Sequence, residues 1–280
     1  MREESSSEGK LLLFLLAAAW GGTFPTMKIA VLDLDVFFFL SLRFGVALLS
    51  FIPLLILAGR RLVPELRGMT VGVVVFSGFL FQVSGLKYTT AVNSAFITSL
   101  NTPLVPVLGL LLFRRKPDFR AVLGIILGMV GLALLTGVYK GTAISLGDFL
   151  TFLCAICWAL QILLVDIVTK RMDALELAYS ESVSVFLLSI LFSLLAGERW
   201  MLPKGGAMLA VMYTGVIATT FAFFAQARSQ ETVSPEFTGL MLLLEPVFAS
   251  LFSFLILKET LSPIEVLGAL LILLGIKISS

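Results

Sequence analysis

Histidine is absent from this sequence of 280 residues, and charged residues make up only 14% of it. Without histidine, the chain has no histidine ligand for a metal and no histidine proton relay. The net charge of +2 and the lack of a long basic block argue against a nucleic-acid partner. The sequence also lacks a Gly-rich nucleotide loop with a lysine and any catalytic constellation, so we expect no enzyme and no cofactor.

Cysteine is scarce as well, since Cys154 and Cys157 are the only two. Their CxxC spacing falls within the apolar run 148–167. A redox or zinc site needs thiolates near water or a second pair of ligands. The sequence offers neither, so we interpret both cysteines as packing residues and expect no metal site.

Hydrophobic residues are abundant, at 59% of the chain with a mean hydropathy of +1.05. A soluble domain of this composition would expose large apolar patches, whereas a bilayer accepts them. Most of the apolar runs have about the twenty residues that a membrane-spanning helix needs, and they are too long for barrel strands. The runs cover 11–30, 36–58, 69–86, 92–113, 119–137, 147–167, 176–196, 207–227, 236–257 and 263–278. We therefore predict an all-α integral membrane protein with ten transmembrane helices.

The distribution of lysine and arginine predicts the orientation of these helices. If the polar tail 1–10 lies in the cytoplasm, thirteen of these basic residues fall inside and six outside. The opposite orientation would reverse this bias and break the positive-inside rule. We predict a multi-pass protein of the cytoplasmic membrane with both termini inside.

The two halves of the chain resemble each other. Trp20 matches Trp158 near the start of each half, Pro103 matches Pro246, and a glycine recurs at equivalent positions in the last helix of each half. We place the repeats at 11–137 and 147–278. Because five helices is an odd number, the second copy enters the membrane from the opposite side. Such inverted repeats are typical of transporters that work by alternating access.

Three of the ionisable residues inside predicted helices are candidates for transport, because an ionisable side chain there costs roughly 2.5–3.5 kcal/mol on insertion scales and needs a reason. Glu245 lies nine residues into its helix, roughly 14 Å deep at 1.5 Å per residue. It is a candidate for binding a proton or a substrate amine, or alternatively for holding helices together. Arg43 is a candidate for binding a substrate carboxylate, although its long side chain could instead reach its own membrane interface. Glu181, at the position that matches Arg43, is a second proton candidate, although it is shallow enough for partial hydration.

Other polar and aromatic residues complete the predicted substrate pathway. Ser94, Thr98 and Asn101 share one face of the fourth helix and must turn away from lipid, towards a cavity or a neighbouring helix. Weaker candidates are Gln82, Gln161 and Tyr213, together with Trp20 and Trp158, which could stack on a substrate or only pack. The predicted hinges are three prolines, Pro25, Pro103 and Pro246. The glycines of helices five and ten, namely Gly124, Gly128, Gly131, Gly268 and Gly275, predict close packing.

Three segments carry a resemblance to a known family. They are AAAWGGTFPTMKIA at 17–30, SLRF at 41–44, and LLLEPVFASLFSFLILKETLSPIEVLGALLILLG at 242–275. The sequence resembles the EamA-type ten-helix branch of the drug/metabolite transporter (DMT) superfamily. The first copy departs from this pattern at two positions. Thr102 precedes Pro103 where the second copy has Glu245 before Pro246, and Lys116 stands where the second copy has Glu259. The resemblance implies export or exchange of metabolites such as amino acids, and it leaves the substrate open.

We thus expect a secondary transporter or facilitator for small metabolites, embedded in the lipid bilayer, with monomer or homodimer left open. A membrane enzyme acting on a lipid-like substrate is one alternative, but it would need clustered acidic residues or histidines at one interface. A non-transporting scaffold is another, and a channel is a third. Neutralising Glu245 separates a scaffold from a transporter, because only a transporter would lose flux while its expression stays intact.

Overall fold

The structure is a computed structural model that describes residues 2–138, 145–252 and 262–279. The Lys258-Glu259-Thr260 motif of the second copy lies outside the described residues. Fourteen α-helices and one π-helical segment form the described part. They are α1 (Arg2–Gly21), α2 (Thr23–Asp33), α3 (Val36–Leu57), α4 (Leu66–Leu86), α5 (Ala91–Thr98), α6 (Asn101–Phe113), α7 (Phe119–Thr136), α8 (Leu146–Val168), α9 (Ala174–Leu195), α10 (Gly205–Met212), the π segment (Tyr213–Phe221), α11 (Ala222–Gln230), α12 (Pro235–Leu242), α13 (Leu244–Phe252) and α14 (Pro263–Ser279).

Eight helices in the described ranges, counted through their breaks, are long and apolar enough to cross a membrane. They correspond to the second to ninth predicted spans. The first predicted span is divided between α1 and α2, and the tenth corresponds to α14, which has 17 residues. The protein is a multi-pass, all-helical membrane protein.

The polar tail is helical over residues 2–10, because α1 begins at Arg2. Its last part packs against the turn that follows α11. Glu8 lies 3.6 Å from Arg228, and a Cβ on Gly9 would lie 2.9 Å from Val233 Cγ2. The tail therefore extends the first helix and ties it to the second half of the chain.

Three predicted spans are broken, each at a point three residues before a proline. The breaks fall at Gly22, at Leu100 and at Leu243. Pro25, Pro103 and Pro246 are the third residues of α2, α6 and α13. The first-turn N–H groups of a helix have no partner within that helix, so proline is tolerated there. The chain thus bends just before each predicted hinge proline.

Helices α7 and α14 pack together along their glycines. A Cβ on Gly131 would lie 2.5 Å from the carbonyl oxygen of Gly268, and one on Gly124 would lie 2.6 Å from that of Gly275. Only glycine permits backbones to approach so closely. The prediction that these glycines are close-packing positions is confirmed.

The first segment of each half packs against the other half. Helix α8 lies mainly against α4, α5 and α6, whereas α1 lies mainly against α11, α12 and α13. Helix α3 packs on α9 and on the π segment, and α9 packs in turn on α4. This exchange brings residues from both halves to the centre of the molecule.

Candidate functional site

A partly open cavity lies between the two halves, with about 450 Å³ of space between atoms when the open space at its mouth is included. Eight of the residues predicted to contact substrate line it: Trp20, Arg43, Gln82, Thr98, Asn101, Trp158, Gln161 and Glu245. The sequence did not point to five further lining residues, which are Thr23, Met27, Phe79, Ile162 and Leu242. Thr23 and Met27 follow Trp20 at helical spacing, and this spacing was the available signal.

Three other predicted residues lie outside this lining. Ser94 is fully buried, and its hydroxyl has no hydrogen-bond partner in the described structure. The Tyr213 hydroxyl donates to the carbonyl oxygen of Ala19 at 2.5 Å, so it joins the π segment to α1. Glu181 is 2% exposed and lies beside Gln161. Their predicted roles in binding have no direct support from the cavity.

Arg43 is the most completely held side chain of the cavity. Its Nε donates to the Thr219 hydroxyl at 2.8 Å, and its Nη2 donates to the Ala218 carbonyl oxygen at 3.2 Å. Its guanidinium carbon lies 4.3 Å from the centre of the Phe79 ring, within the range of a cation–π interaction. Among the described residues, no carboxylate lies within 4.0 Å of this guanidinium. The cavity therefore contains a buried cation that lacks a counter-anion.

Aromatic rings form one wall of the cavity. The ring centres of Trp20 and Trp158 are 6.2 Å apart, and Phe79 meets Trp158 edge-on at 4.9 Å. The indole Nε1 of Trp20 donates to the Ala218 carbonyl oxygen at 2.9 Å, which fixes the ring. The two tryptophans that occupy equivalent positions in the repeats thus meet at the same wall, where their rings are tilted by 43° to each other and offer an apolar surface.

Glu245 is the second residue of α13, directly after the break at Leu243. Its carboxylate lines the cavity and makes no hydrogen bond or ion pair with the described residues. The end of α1 packs closely on the backbone here, since a Cβ on Gly21 would lie 2.9 Å from the Glu245 carbonyl oxygen. The cavity therefore offers a carboxylate for a cationic group, in addition to the guanidinium of Arg43.

Comparison with known proteins identifies the family. The model of the EamA-like transporter family matches residues 7–137 and again residues 145–280. A protein of Archaeoglobus fulgidus named "Uncharacterized transporter" is 33% identical over all of this chain and 90% of its own length. The chain belongs to the EamA-like transporter family. It is accordingly a membrane transporter of the drug/metabolite transporter superfamily, with a small-molecule substrate.

Other similarities agree with this assignment. The "Uncharacterized transporter YetK" of Bacillus subtilis is 27% identical over 93% of this chain and 84% of its own length. One solved structure, described only as "Crystal structure of protein", superposes with a TM-score of 0.83 over 97% of both chains at 19% identity. At that identity the likeness shows a shared fold and nothing about the substrate.

A buried amide network borders the cavity of this EamA-family chain. Gln226 Nε2 donates to Gln161 Oε1 at 2.9 Å and to Gln230 Oε1 at 3.1 Å. Gln230 Nε2 donates in turn to the carbonyl oxygen of Ile162 at 2.8 Å. The network joins α8 to α11 and leads from the cavity lining to the neighbourhood of Glu181.

The sequence analysis did not single out the buried acid Asp166. Asp166, near the end of α8, is 5% exposed and forms ion pairs with Arg115 at 2.6 Å and Lys170 at 2.9 Å. The signal was an aspartate inside an apolar helix. Because Asp166 does not line the cavity and joins α8 to the loop after α6, we assign it a structural role.

Proposed function

We propose that this EamA-family chain is a secondary transporter or facilitator that moves amino acids or related small metabolites, by export or exchange. The proposal rests on the presence of two groups without an ion-pair partner in one cavity, the guanidinium of Arg43 and the carboxylate of Glu245. A buried charge without a partner is costly, so a ligand that supplies both missing charges would be stabilised there. A zwitterion with an apolar side chain matches the two charges and the aromatic wall.

The proposal assigns roles to the lining residues. The carboxylate of the substrate would bind Arg43, its amine would bind Glu245, and its side chain would lie against Trp20, Trp158 and Phe79. Gln82, Thr98, Asn101 and Gln161 would hydrogen-bond polar groups of the substrate. Glu245 is also the favoured site for a coupling proton, since Glu181 does not line the cavity.

Two inverted five-helix halves, making ten spans in all, would provide the transport cycle by alternating access. The double match of the family model supports this architecture. Equivalent packing supports it as well. A Cβ on Gly72 would lie 2.6 Å from the Glu181 carbonyl oxygen, and one on Gly215 would lie 2.8 Å from the Arg43 carbonyl oxygen. Each half thus presents a glycine to the matching residue of the other half.

Motion between two open states would use the breaks in the lining helices. Pro25, Pro103 and Pro246 each follow a break, and discontinuous helices near the binding site are a common feature of secondary transporters. We propose that the segments on either side of these breaks tilt, while α7 and α14 keep the two halves together. Both termini would lie in the cytoplasm, as the distribution of lysine and arginine predicts.

The direct test is transport by the purified protein in proteoliposomes. Uptake and counterflow of radiolabelled amino acids, related amines and small organic acids would be measured with and without a pH gradient. We expect saturable flux of at least one zwitterion. Glu245→Gln should lower that flux about tenfold, which corresponds to one charge-assisted contact, and should abolish any response to the pH gradient.

Glu236→Gln is the matched control, because Glu236 lies in the first turn of α12, in the same predicted span but outside the cavity lining. It should transport like the parent. Absence of flux for every compound, with the protein folded and monodisperse, would contradict the proposal. Steady electrical conductance across a planar bilayer would favour a channel instead. Unchanged flux and pH response in Glu245→Gln would remove the role assigned to that carboxylate.

A further inference from the structure

The π segment Tyr213–Phe221 is the least expected element of the fold, because π-helix is rare and usually limited to a single turn at functional sites. The hydroxyl groups of two consecutive threonines follow the hydrogen-bond spacing of this segment. The Thr219 hydroxyl donates to the Thr214 carbonyl oxygen at 2.8 Å, and the Thr220 hydroxyl donates to the Gly215 carbonyl oxygen at 3.1 Å. Both acceptors lie five residues earlier in the chain, which is the hydrogen-bond spacing of a π-helix.

This segment supplies the acceptors that hold Arg43. The Thr219 hydroxyl accepts from Arg43 Nε, and the next carbonyl towards the N-terminus, that of Ala218, accepts from both Arg43 Nη2 and Trp20 Nε1. Thr219 is fully buried, and its hydroxyl hydrogen is already committed to the Thr214 carbonyl oxygen. The hydroxyl can therefore only accept from Arg43, and it fixes the plane of the guanidinium group.

The orientation leaves one edge of the guanidinium for a ligand. Nε and one hydrogen of Nη2 are bound to the π segment, whereas Nη1 has only the Met27 sulfur, at 3.5 Å. A thioether is a weak acceptor, so a carboxylate or phosphate oxygen would displace it readily. The free donors are those of Nη1 and the second hydrogen of Nη2, which form the end-on edge of the group.

We propose that Thr219 is a positioning residue, which turns the Nη1–Nη2 edge of Arg43 towards the cavity to bind the anionic group of the transported compound. The inference rests on the proposed transport through this cavity and deepens it. Thr219 does not touch the substrate itself. Its hydroxyl selects which edge of the guanidinium group is presented to the cavity, and so favours compounds with a carboxylate over those without one.

The first test needs no substrate. Phenylglyoxal is a small reagent that condenses with guanidinium groups, and its rate of reaction at Arg43 can be followed by peptide mass spectrometry of the full-length protein in proteoliposomes. In Thr219→Val the Nε group loses its acceptor, and the side chain should rotate towards other carbonyls of the π segment, which withdraws Nη1 from the cavity. We expect the rate at Arg43 to fall about threefold or more, the scale of one hydrogen bond.

Two variants separate positioning from general damage. Thr219→Ser keeps the hydroxyl and should react like the parent protein. Thr220→Val removes the same kind of bond within the π segment, but Thr220 binds the Ala47 carbonyl oxygen and not Arg43, so it should also react like the parent. An unchanged rate in Thr219→Val, or equal changes in Thr219→Val and Thr220→Val, would overturn the proposal.

The second test uses a matched pair of probes, L-phenylalanine and phenethylamine, which lacks the carboxylate. If the parent protein transports both, Thr219→Val should raise the KM for L-phenylalanine about fivefold with little change in kcat, and should leave phenethylamine unaffected. Equal losses for both probes would contradict the assignment. If the parent moves neither probe, that result counts against the proposed amino-acid substrate, and the phenylglyoxal rates alone decide the role of Thr219.

Discussion

Arg43 and Glu181 occupy equivalent positions in the two halves, but their surroundings differ. Each is nearly inaccessible, at 1% and 2% exposed, and each has its backbone against a glycine of the other half. The Arg43 side chain is bound by the π segment and lines the cavity, whereas the Glu181 side chain lies beside Gln161 of α8 and stays outside the lining. The backbone contact is common to both halves, but only one of the two side chains lines the cavity.

The same contrast recurs in the first segment of each half. Helix α8 is continuous from Leu146 to Val168, whereas the corresponding stretch of the first half breaks at Gly22 into α1 and α2. The first half has Gly21 and Gly22 where the second half has Ala159 and Leu160. A Cβ on Gly22 would lie 2.7 Å from the Tyr213 hydroxyl, so the break allows the π segment to approach. Local sequence differences have thus given two similar halves different surfaces at the cavity.

The largest effect on transport is expected from removing the guanidinium of Arg43. Arg43→Met should reduce transport of a carboxylate-bearing substrate by about a hundredfold, because a charge-assisted bidentate contact is lost from a buried site. Arg43→Lys should recover only part of the activity, since lysine keeps the charge but not the fixed fork of donors. The measurement is initial uptake in proteoliposomes, normalised to folded protein. If Arg43→Met transported like the parent protein, Arg43 would not be the substrate-binding residue of the two equivalent positions.

The shared backbone contact should matter for stability in both halves. Gly72→Ala and Gly215→Ala should each lower the free energy of unfolding by about 1–3 kcal/mol, because the added methyl group overpacks a tight contact. A Cβ would lie 2.5 Å from Ser184 Cβ in the first case and 2.7 Å from Val46 Cγ1 in the second.

The matched control is Gly109→Ala, where the added methyl would lie an ordinary 3.5 Å from Leu163. Thermal unfolding followed by size-exclusion fluorescence would give the Tm of all three variants. We expect the two tight glycines to behave alike and the control to match the parent. A large loss of Tm in only one of the variants Gly72→Ala and Gly215→Ala would indicate that the halves do not share this contact.

The smallest effect is expected at Glu181, the residue of the second half that is equivalent to Arg43. Glu181→Gln should change transport less than about twofold, because the amide retains a polar contact with Gln161 and the described residues place no cation within 4.0 Å of Glu181. Uptake with and without a pH gradient is the measurement. A loss comparable to that of Glu245→Gln would mean that the coupling proton binds at Glu181, and the contrast with Arg43 would disappear.

Periodicity and composition were sufficient to predict the helical runs and the close packing at the glycines of α7 and α14, because both are read from residue spacings within one helix. The breaks were displaced from the prolines, since Pro103 and Pro246 fit the first turn of a new helix and do not bend an existing one. The π segment and the hold of Thr219 on Arg43 could not be predicted. They depend on the approach of α3 to a helix distant in sequence, and Thr219 alone looks like an ordinary polar residue of a membrane helix.

The inverted relation of the two halves is the central claim, and two loop residues test it most directly. Val63 and Met201 occupy equivalent loops after the second segment of each half, and they are 75% and 51% exposed. In a background with Cys154 and Cys157 replaced by serine, Val63→Cys and Met201→Cys would be labelled with a membrane-impermeant maleimide in intact and permeabilised cells. We expect labelling of Met201→Cys in intact cells and of Val63→Cys only after permeabilisation. Labelling of both from the same side would contradict it.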